Sequence, residues 1–290
     1  MAENIVMGAL LPVLLTLAAP FVGGILVGVD RKITARMQSR IGPPVLQPFY
    51  DVIKLWNKEP FITGSLQPVL AFSYLGFAVL AVGLFMLGGD LLLILFTSAI
   101  ADVCLITASM NSKSPFSYLG GRRELLAVLS YEPVLILTFI GISMVTGSFL
   151  VEGVLGYSRP LLMLLPAVLV ALEIVLLIEL KKSPFDVSGS GHAHQELVRG
   201  VYTEFSGYTM AMLEVGHWVK MVLLLSIIAL FWAPNLLVGT GLSLLLFFVA
   251  LAVDNSYPRL TWKRMLGTAW GVGFVLILVN IVGLILMGVI

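Results

Sequence analysis

Ionisable side chains interrupt several stretches of the sequence that are otherwise apolar enough to lie within a membrane. Glu214, His217 and Lys220 are spaced three residues apart, so on a helix they form one stripe about 9 Å long that carries an acid, an imidazole and an amine. The other such residues are Asp102, Glu132, Glu173, Glu179 and Asp254. A charge at mid-bilayer costs about 3 kcal/mol on insertion scales, and residues of this kind mark paths for protons or ions. The set therefore predicts a polar path, although each carboxylate could instead pair only with Lys220, a loop arginine or a neighbouring subunit.

Two histidines and an acid in one loop suggest a metal site at first sight. His192 and His194 are separated by one residue, and Glu196 follows. This spacing is unspecific for a metal, no cysteine is near, and the preceding Gly and Ser residues indicate a flexible loop. The single cysteine, Cys104, cannot form an internal disulfide, a Cys-ligated iron–sulfur cluster or a structural zinc site. We therefore expect no cofactor or metal in this chain.

The composition excludes several classes of protein. Of the 290 residues, 59% are hydrophobic and only 11% are charged, whereas about a quarter of the residues in a soluble domain are charged. The formal net charge of +1 lacks the basic surplus that a nucleic-acid-binding protein needs to displace counterions from phosphate. The sequence therefore predicts a multi-pass membrane protein with no nucleic-acid partner.

The elements that must position the ionisable residues are membrane-spanning helices. A helix needs about 20 apolar residues to cross a hydrocarbon core about 30 Å thick. Helices are suited to this environment because their backbone N–H and C=O groups bond to each other where water is absent. Eight runs qualify: residues 5–28, 69–89, 91–111, 125–148, 161–180, 208–232, 235–254 and 266–290. We expect an all-α membrane protein with eight transmembrane helices in a single integral membrane domain over residues 1–290.

The basic residues predict the orientation of these spans. All but two of the 17 lysines and arginines lie in the loops that follow odd-numbered spans. By the positive-inside rule those loops are cytoplasmic, and both termini lie outside. The predicted cytoplasmic loops are about 29–68, 112–124, 181–207 and 255–265.

The first cytoplasmic loop contains a predicted amphipathic helix that begins near Gln47-Pro48. Its apolar positions recur at i, i+3, i+4 and i+7, and they are Phe49, Val52, Ile53 and Trp56. This pattern is typical of a helix in the membrane interface with lysines at headgroup level. A loop that packs on a partner protein, or a surface helix that forms the floor under a docked partner, would show the same pattern.

Several loop motifs resemble those of the complex I subunit 1 family, the H-type membrane subunits of NADH-quinone oxidoreductase. They are Asp30-Arg31-Lys32, the run from Arg36 to Pro43, Leu46-Gln47-Pro48, Asp51 to Leu55, Asn111-Ser112-Lys113, Ser130-Tyr131-Glu132, Pro184-Phe185-Asp186, Glu196 to Gly200, Thr203 to Gly207 and Tyr257-Pro258-Arg259. The resemblance covers essentially the whole chain.

Two differences from the quinone-linked members indicate which branch of the family this chain resembles. Only Pro44 and Val45 separate the Gly-Pro and Leu-Gln-Pro motifs of the first loop, where those members usually have about ten residues. The segment from Val187 to Gln195 also lacks the acidic residues that those members carry after Pro-Phe-Asp. The chain is thus more similar to the corresponding subunit of energy-converting membrane-bound [NiFe]-hydrogenases and the related sulfur-reducing complexes of prokaryotes.

The resemblance implies roles for individual residues. Asp186, Glu196 and Glu204 match loop acids near the junction with a peripheral module, and His192 and His194 fall in the same loop. The matches to the membrane path are Glu132, Glu173, Glu179 and Glu214. We add His217, Lys220 and Asp102 to this predicted path because they lie within the predicted spans. The matches to the basic first loop, which faces the peripheral module, are Arg31, Arg36, Arg40 and Lys54.

The function that the resemblance implies is that of a non-catalytic membrane anchor and ion-path subunit in the cytoplasmic membrane. Its expected partners are [NiFe]-hydrogenase-like large and small subunits, an iron–sulfur ferredoxin-type subunit and antiporter-like membrane subunits, with ferredoxin as electron donor. The [NiFe] centre and the iron–sulfur clusters would lie on those partners. Three alternatives are a quinone-site subunit of a complex I-type enzyme, a stand-alone secondary transporter and a passive anchor without an ion role.

Overall fold

The computed structural model describes residues 2–62, 64–189, 197 and 199–288, and the regular elements among them are helical. The helices of ten residues or more are α1 (Ala2–Met37), α2 (Gln47–Trp56), α3 (Leu66–Met86), α4 (Leu91–Met110), α5 (Pro115–Thr146), α8 (Pro166–Glu179), α9 (Gly207–Ala229), α10 (Leu236–Ser256) and α12 (Val275–Leu286). Three shorter helices are α6 (Val151–Leu155), α7 (Leu161–Leu164) and α11 (Trp262–Thr268), which continues through a π-helical stretch, Ala269–Phe274, into α12. The all-α fold predicted from the sequence is therefore confirmed for the described residues.

Seven helical segments in this part of the chain are long and apolar enough to cross a membrane. They are Leu10–Met37, Leu66–Met86, Leu91–Met110, Pro115–Thr146, Gly207–Trp232, Leu236–Ser256 and Trp262–Leu286. Each overlaps one predicted span, and the predicted fifth span is the one without a counterpart. The protein is thus a multi-pass membrane protein with seven candidate spans where the sequence predicted eight.

The predicted fifth span, 161–180, is interrupted near its start. Leu165 separates α7 from α8, because Pro166 has no N–H to donate and its ring obstructs a continuous helix. The remaining α8 has 14 residues, or about 21 Å, which is shorter than a hydrocarbon core of about 30 Å. The predicted fifth span is therefore not confirmed as one continuous helix.

An asparagine from the last helix compensates for the break. The Asn280 side-chain amide donates to the carbonyl of Leu164 at 2.8 Å, and its oxygen accepts from the N–H of Ala167 at 3.0 Å. Both backbone groups would otherwise lack partners in an apolar environment, where each unsatisfied group is costly. Asn280 therefore allows α8 to begin inside the membrane domain.

The predicted amphipathic helix in the first loop is α2, with Pro48 in its first turn. Its packed face differs from the predicted one. Pro48 is buried and Val52 and Leu55 are half-buried, whereas Ile53 is 57% exposed and Trp56 is 58% exposed. Part of the apolar face packs on the helix bundle, and the other part is left on the outside of the protein.

The chain that follows α8 packs into the helix bundle before it reaches α9. Its residues Ser183, Phe185, Asp186 and Ser188 are buried, with 8% exposure or less. This non-helical stretch, 180–189, is called the re-entrant segment below because it lies buried among the helices.

Two glycines permit the close approach of backbones around the re-entrant segment and the first loop. A Cβ on Gly28 would lie 1.8 Å from the carbonyl oxygen of Val45, so only glycine lets α1 contact the chain just before α2. Gly200 has a φ of +41° and a Cβ there would lie 1.9 Å from the carbonyl oxygen of Ser188. The second contact holds the re-entrant segment against the short 3₁₀ turn Gly200–Tyr202.

Candidate functional site

A buried lysine at the centre of the helix bundle contacts two carboxylates from different helices. The Lys220 Nζ lies 2.5 Å from Asp102 Oδ1 and 2.5 Å from Glu179 Oε1. The side chains of Lys220, Asp102 and Glu179 are 5%, 4% and 11% exposed, respectively. We call Asp102, Glu179 and Lys220 the central cluster. Two acids around one amine leave a formal charge of −1 when all three groups are ionised, so the cluster can accept a proton without losing its cation.

The central cluster lies about midway along the two long helices that carry Asp102 and Lys220. Lys220 is 13 residues, or about 20 Å, from the start of α9, and Asp102 is eight residues, or about 12 Å, from the end of α4 on the same side. Glu179, the third member, is the last residue of α8.

A small cavity of about 40 Å³ adjoins the cluster on the side away from the re-entrant segment. All three cluster residues line it, together with Glu132 and Tyr131 of α5. The Tyr131 hydroxyl donates a hydrogen bond of 2.7 Å to Asp102 Oδ2. A cavity of this size holds about three water molecules, and polar groups are available to bind them.

A larger cavity of about 360 Å³, here called the vestibule, lies on the other side of the cluster. Glu214 and His217 line it, so two members of the stripe predicted on α9 face the vestibule and the third, Lys220, faces the cluster. Leu180 and Lys181, which directly follow Glu179, also line it. The cluster therefore lies between two cavities, and the stripe joins them.

Two lysines at the start of the predicted cytoplasmic loop 181–207, Lys181 and Lys182, form part of the vestibule wall. Lys182 Nζ lies 2.7 Å from Asp30 Oδ2 and 3.1 Å from Asp254 Oδ2, and the N–H of Ser183 donates to Asp254 Oδ1 at 2.8 Å. Burial lowers the pKa of Lys182, but the two carboxylates outweigh burial and hold the pKa above its usual value. These contacts tie the start of the re-entrant segment to α1 and α10.

Lys181 has different partners from Lys182 and contacts α5 and the 3₁₀ turn that precedes α9. Its amine lies 3.0 Å from Glu124 Oε1, donates to the Tyr202 hydroxyl at 2.8 Å and lies 4.5 Å from the centre of that ring. Burial lowers the pKa of Lys181, and the nearby Glu124 and Tyr202 raise it above the usual value by a larger amount. For Tyr202, burial raises the pKa, and the opposing effect of Lys181 does not cancel the increase.

The remaining predicted path residues lie apart from the central cluster. Asp186 lines the vestibule and its Oδ2 lies 3.0 Å from Arg259 Nε. Glu173 lies on α8, where both carboxylate oxygens are buried without a hydrogen-bond partner. Glu204 is half-buried, and its backbone carbonyl accepts from the side chain of Gln67 at 2.8 Å. Glu196 lies outside the described residues.

The predicted peripheral-module residues are on the outside of the protein. Arg31 is exposed and its Nη1 lies 2.6 Å from Asp51 Oδ2, while Arg36, Arg40 and Lys54 are also exposed. Burial raises the pKa of Asp51, but hydrogen bonds from Arg31 and Gln47 and the nearby cations lower it below the usual value. His192 and His194 lie outside the described residues.

The sequence pointed to the members of the central cluster but not to their partners. The sequence gives no role to Tyr131, which is only part of the Ser130-Tyr131-Glu132 motif, or to Glu124, which ends a predicted loop. A signal for Glu124 existed, because α5 has 32 residues, far more than a span needs, and carries this acid between apolar residues. Among the described residues, no group of three His, Cys, Asp or Glu side chains could hold a metal ion.

Comparison with known proteins places the chain among membrane subunits of respiratory-type complexes. The family described as NADH dehydrogenase matches residues 9–285. Hydrogenase-4 component C of Escherichia coli (strain K12) is 30% identical over 263 residues, which cover 80% of this chain and 82% of that protein. The H subunit of NADH-quinone oxidoreductase from Brevibacillus brevis is 30% identical over 287 residues, which cover 87% of this chain and 84% of that protein.

A solved structure has the same fold. It is a chain of the membrane-bound sulfane sulfur reductase (MBS), an archaeal respiratory membrane complex, with a TM-score of 0.82 and 26% identity. The match covers 94% of this chain and 98% of that one. The similarity thus extends over nearly the whole membrane domain.

Proposed function

We propose that this chain, which belongs to the NADH dehydrogenase family (the complex I subunit 1 family) and is the membrane subunit of a complex I-like complex, provides the first part of an ion path. The observation that carries this proposal is the position of the buried central cluster between two cavities.

The proposed path begins at the vestibule. Glu214 and His217 take up a proton there. The added charge acts on Lys220, one turn further along α9, and so on the ion pairs of Lys220 with Asp102 and Glu179. When Glu179 Oε1 gains a proton, its attraction for the Lys220 ammonium weakens, and the ammonium shifts towards Asp102. The small cavity and Glu132 then carry the charge onwards. A sodium ion could follow the same carboxylates, since both ions are bound by oxygen ligands.

We further propose that the complex is a ferredoxin-linked [NiFe]-hydrogenase or a related sulfur-reducing enzyme. The similarity to hydrogenase-4 component C and to the sulfane sulfur reductase chain supports this assignment. In this proposal the clusters and the [NiFe] centre lie on partner subunits, and this chain does no bond chemistry. The chain would cross the cytoplasmic membrane eight times, with α7 and α8 together as the fifth crossing and both termini outside, because the basic residues remain concentrated in alternate loops.

The test is ion uptake by the purified complex in sealed vesicles, driven by reduced ferredoxin and followed with a pH-sensitive dye or labelled sodium. Glu179→Gln and Glu214→Gln are expected to reduce the number of ions moved per electron at least about tenfold, since each removes a titratable group from a single path. Glu152→Gln is the matched control because Glu152 is exposed in a short helix away from both cavities. Full ion uptake in both path variants would refute the ion path.

A quinone site is the second candidate function. The vestibule volume falls in the range of ligand pockets, about 300–1,000 Å³, and Met210, Met221 and Phe247 contribute apolar lining. The relatives that are H subunits of NADH-quinone oxidoreductase favour this alternative. A quinone analogue that inhibits electron transfer in the wild-type complex, and less in a Met221→Glu variant, would support it. Insensitivity to the analogue would favour the hydrogenase-like assignment.

A further inference from the structure

A third cavity, of about 260 Å³, opens between α1, α2 and α9 at the end of α1 where the basic first loop begins. The charged residues that line it are Arg31, Asp51, Lys54, Lys58, Arg199 and Glu214. Arg31 and Asp51 neutralise each other at 2.6 Å. Three cations and one carboxylate remain, so the cavity carries a surplus of positive charge.

The two lysines of this cavity have no counter-ion within the described part of the chain. Lys54 lies in the last turn of α2 and Lys58 lies just beyond its end; both are exposed, and both line this cavity. Like charges that line one cavity repel each other. No described carboxylate lies within 4.0 Å of either amine, although Asp51 is near Lys54 on the helix. An external anion would relieve this repulsion.

The neighbouring face of α2 indicates the nature of that anion. Leu46, Tyr50, Ile53 and Trp56 are each more than half exposed and recur at three- or four-residue spacing. An apolar stripe with Tyr and Trp beside lysines is typical of a helix at the level of lipid headgroups. Such a stripe suits acyl chains, which inorganic phosphate does not have.

We propose that the cavity between α1, α2 and α9 binds the phosphate headgroup of an anionic phospholipid, whose acyl chains lie along the exposed stripe of α2. Basic pockets between membrane helices on the cytoplasmic side are suited to such headgroups, because that leaflet is rich in anionic lipid. Lys54 and Lys58 supply the charge, and the Arg31–Asp51 pair fixes α2 against α1. The site does not depend on the proposed ion path, although Glu214 lines both this cavity and the vestibule.

The experiment measures lipid retained by the purified intact complex. The complex is extracted in mild detergent, stripped of lipid and incubated with phosphatidylglycerol, with phosphatidylcholine or with inorganic phosphate, and bound lipid is quantified by mass spectrometry. Each basic residue near an anionic surface contributes about fivefold, so Lys54→Gln/Lys58→Gln is expected to retain phosphatidylglycerol about thirtyfold less well than the wild type. Lys54→Arg/Lys58→Arg should retain it like the wild type, which separates a charge effect from a folding defect.

Lys32→Gln is the matched control, since Lys32 is exposed on α1 but does not line the cavity. Equal retention of phosphatidylcholine and phosphatidylglycerol would overturn the proposal, as would unchanged retention in the Gln double variant. Competition by inorganic phosphate at equal concentration would assign the cavity to a free anion instead. If the Gln variant kept its lipid but lost the peripheral subunits, the lysines would belong to a protein interface, and the lipid site would be rejected.

Discussion

Glu124→Gln is a sensitive test of the electrostatics around the re-entrant segment. It replaces a 7%-exposed carboxylate by an amide of the same shape and leaves the 13%-exposed Lys181 ammonium without its closest anion. Breaking a buried ion pair from one side costs about 3–5 kcal/mol, and we expect the lower end, about 3 kcal/mol, because Tyr202 still accepts from Lys181 at 2.8 Å.

The loss should depend on pH, and its sign follows from the pKa of Lys181. In the wild type, burial lowers this pKa, but Glu124 and Tyr202 raise it above the value in the unfolded chain. The contribution of the lysine to stability is therefore fully present below its usual pKa and is lost only as the pH rises through the folded value. In the variant we expect burial to dominate, so that the pKa of folded Lys181 falls below its unfolded value and the cost of burying the ammonium decreases as the pH rises.

The assay is thermal denaturation of the purified complex, read from the amount of this chain that stays in solution after heating. The deficit of Glu124→Gln relative to the wild type should be larger at about pH 6 than at about pH 9. Glu152→Gln, an exposed Glu→Gln change, should lie within about 0.5 kcal/mol of the wild type at both pH values. A deficit in Glu124→Gln that is constant with pH, or that grows as the pH rises, would refute the assignment of Lys181 as a buried ammonium.

Three further predictions concern the packing of the bundle and are read by the same heating assay. Asn280→Leu leaves two backbone groups at the start of α8 without partners and should cost about 2–4 kcal/mol, whereas an effect below about 0.5 kcal/mol would show that the break needs no cap. Gly28→Ala should lower the free energy of unfolding by about 1–3 kcal/mol, because the added Cβ would clash with the carbonyl of Val45. Gly76→Ala is the control and should be neutral, because a Cβ there meets nothing within 4 Å. Equal effects of the two substitutions would contradict the close contact between Gly28 and Val45. Lys220→Met should cost about 3–5 kcal/mol, most of it recovered when both cluster carboxylates are also replaced by amides.

Most of the helices were predictable because hydrophobic length alone specifies a span. The seven candidate spans overlap predicted ones, and α2 begins at the predicted Gln47-Pro48. The fifth predicted span is not a continuous helix because Pro166 interrupts it, while the hydropathy of residues 161–180 stays high. Only a distant residue, Asn280, makes that break tolerable, and hydropathy carries no information about it.

The candidate site was predictable in its acids and its lysine but not in its geometry. Spacing predicts Glu214, His217 and Lys220 on one stripe, and in the structure the first two line the vestibule while Lys220 lines the small cavity. Spacing could not show that Asp102 and Glu179 flank Lys220, because those contacts join residues more than 40 positions apart in the chain. The roles of these residues in ion movement remain a prediction.

The position at which α8 ends has an electrical consequence for the proposed path. Glu179 is the last residue of α8, and the next residue, Leu180, already lines the vestibule. Membrane voltage falls mainly across the layer that excludes mobile charge, so water and ions in the vestibule would shift the voltage drop to the protein beyond it. A charge that leaves Glu179 for the far surface would then perform most of the electrical work, about 2.3 kcal/mol per 100 mV for a full crossing, within the central cluster and the small cavity.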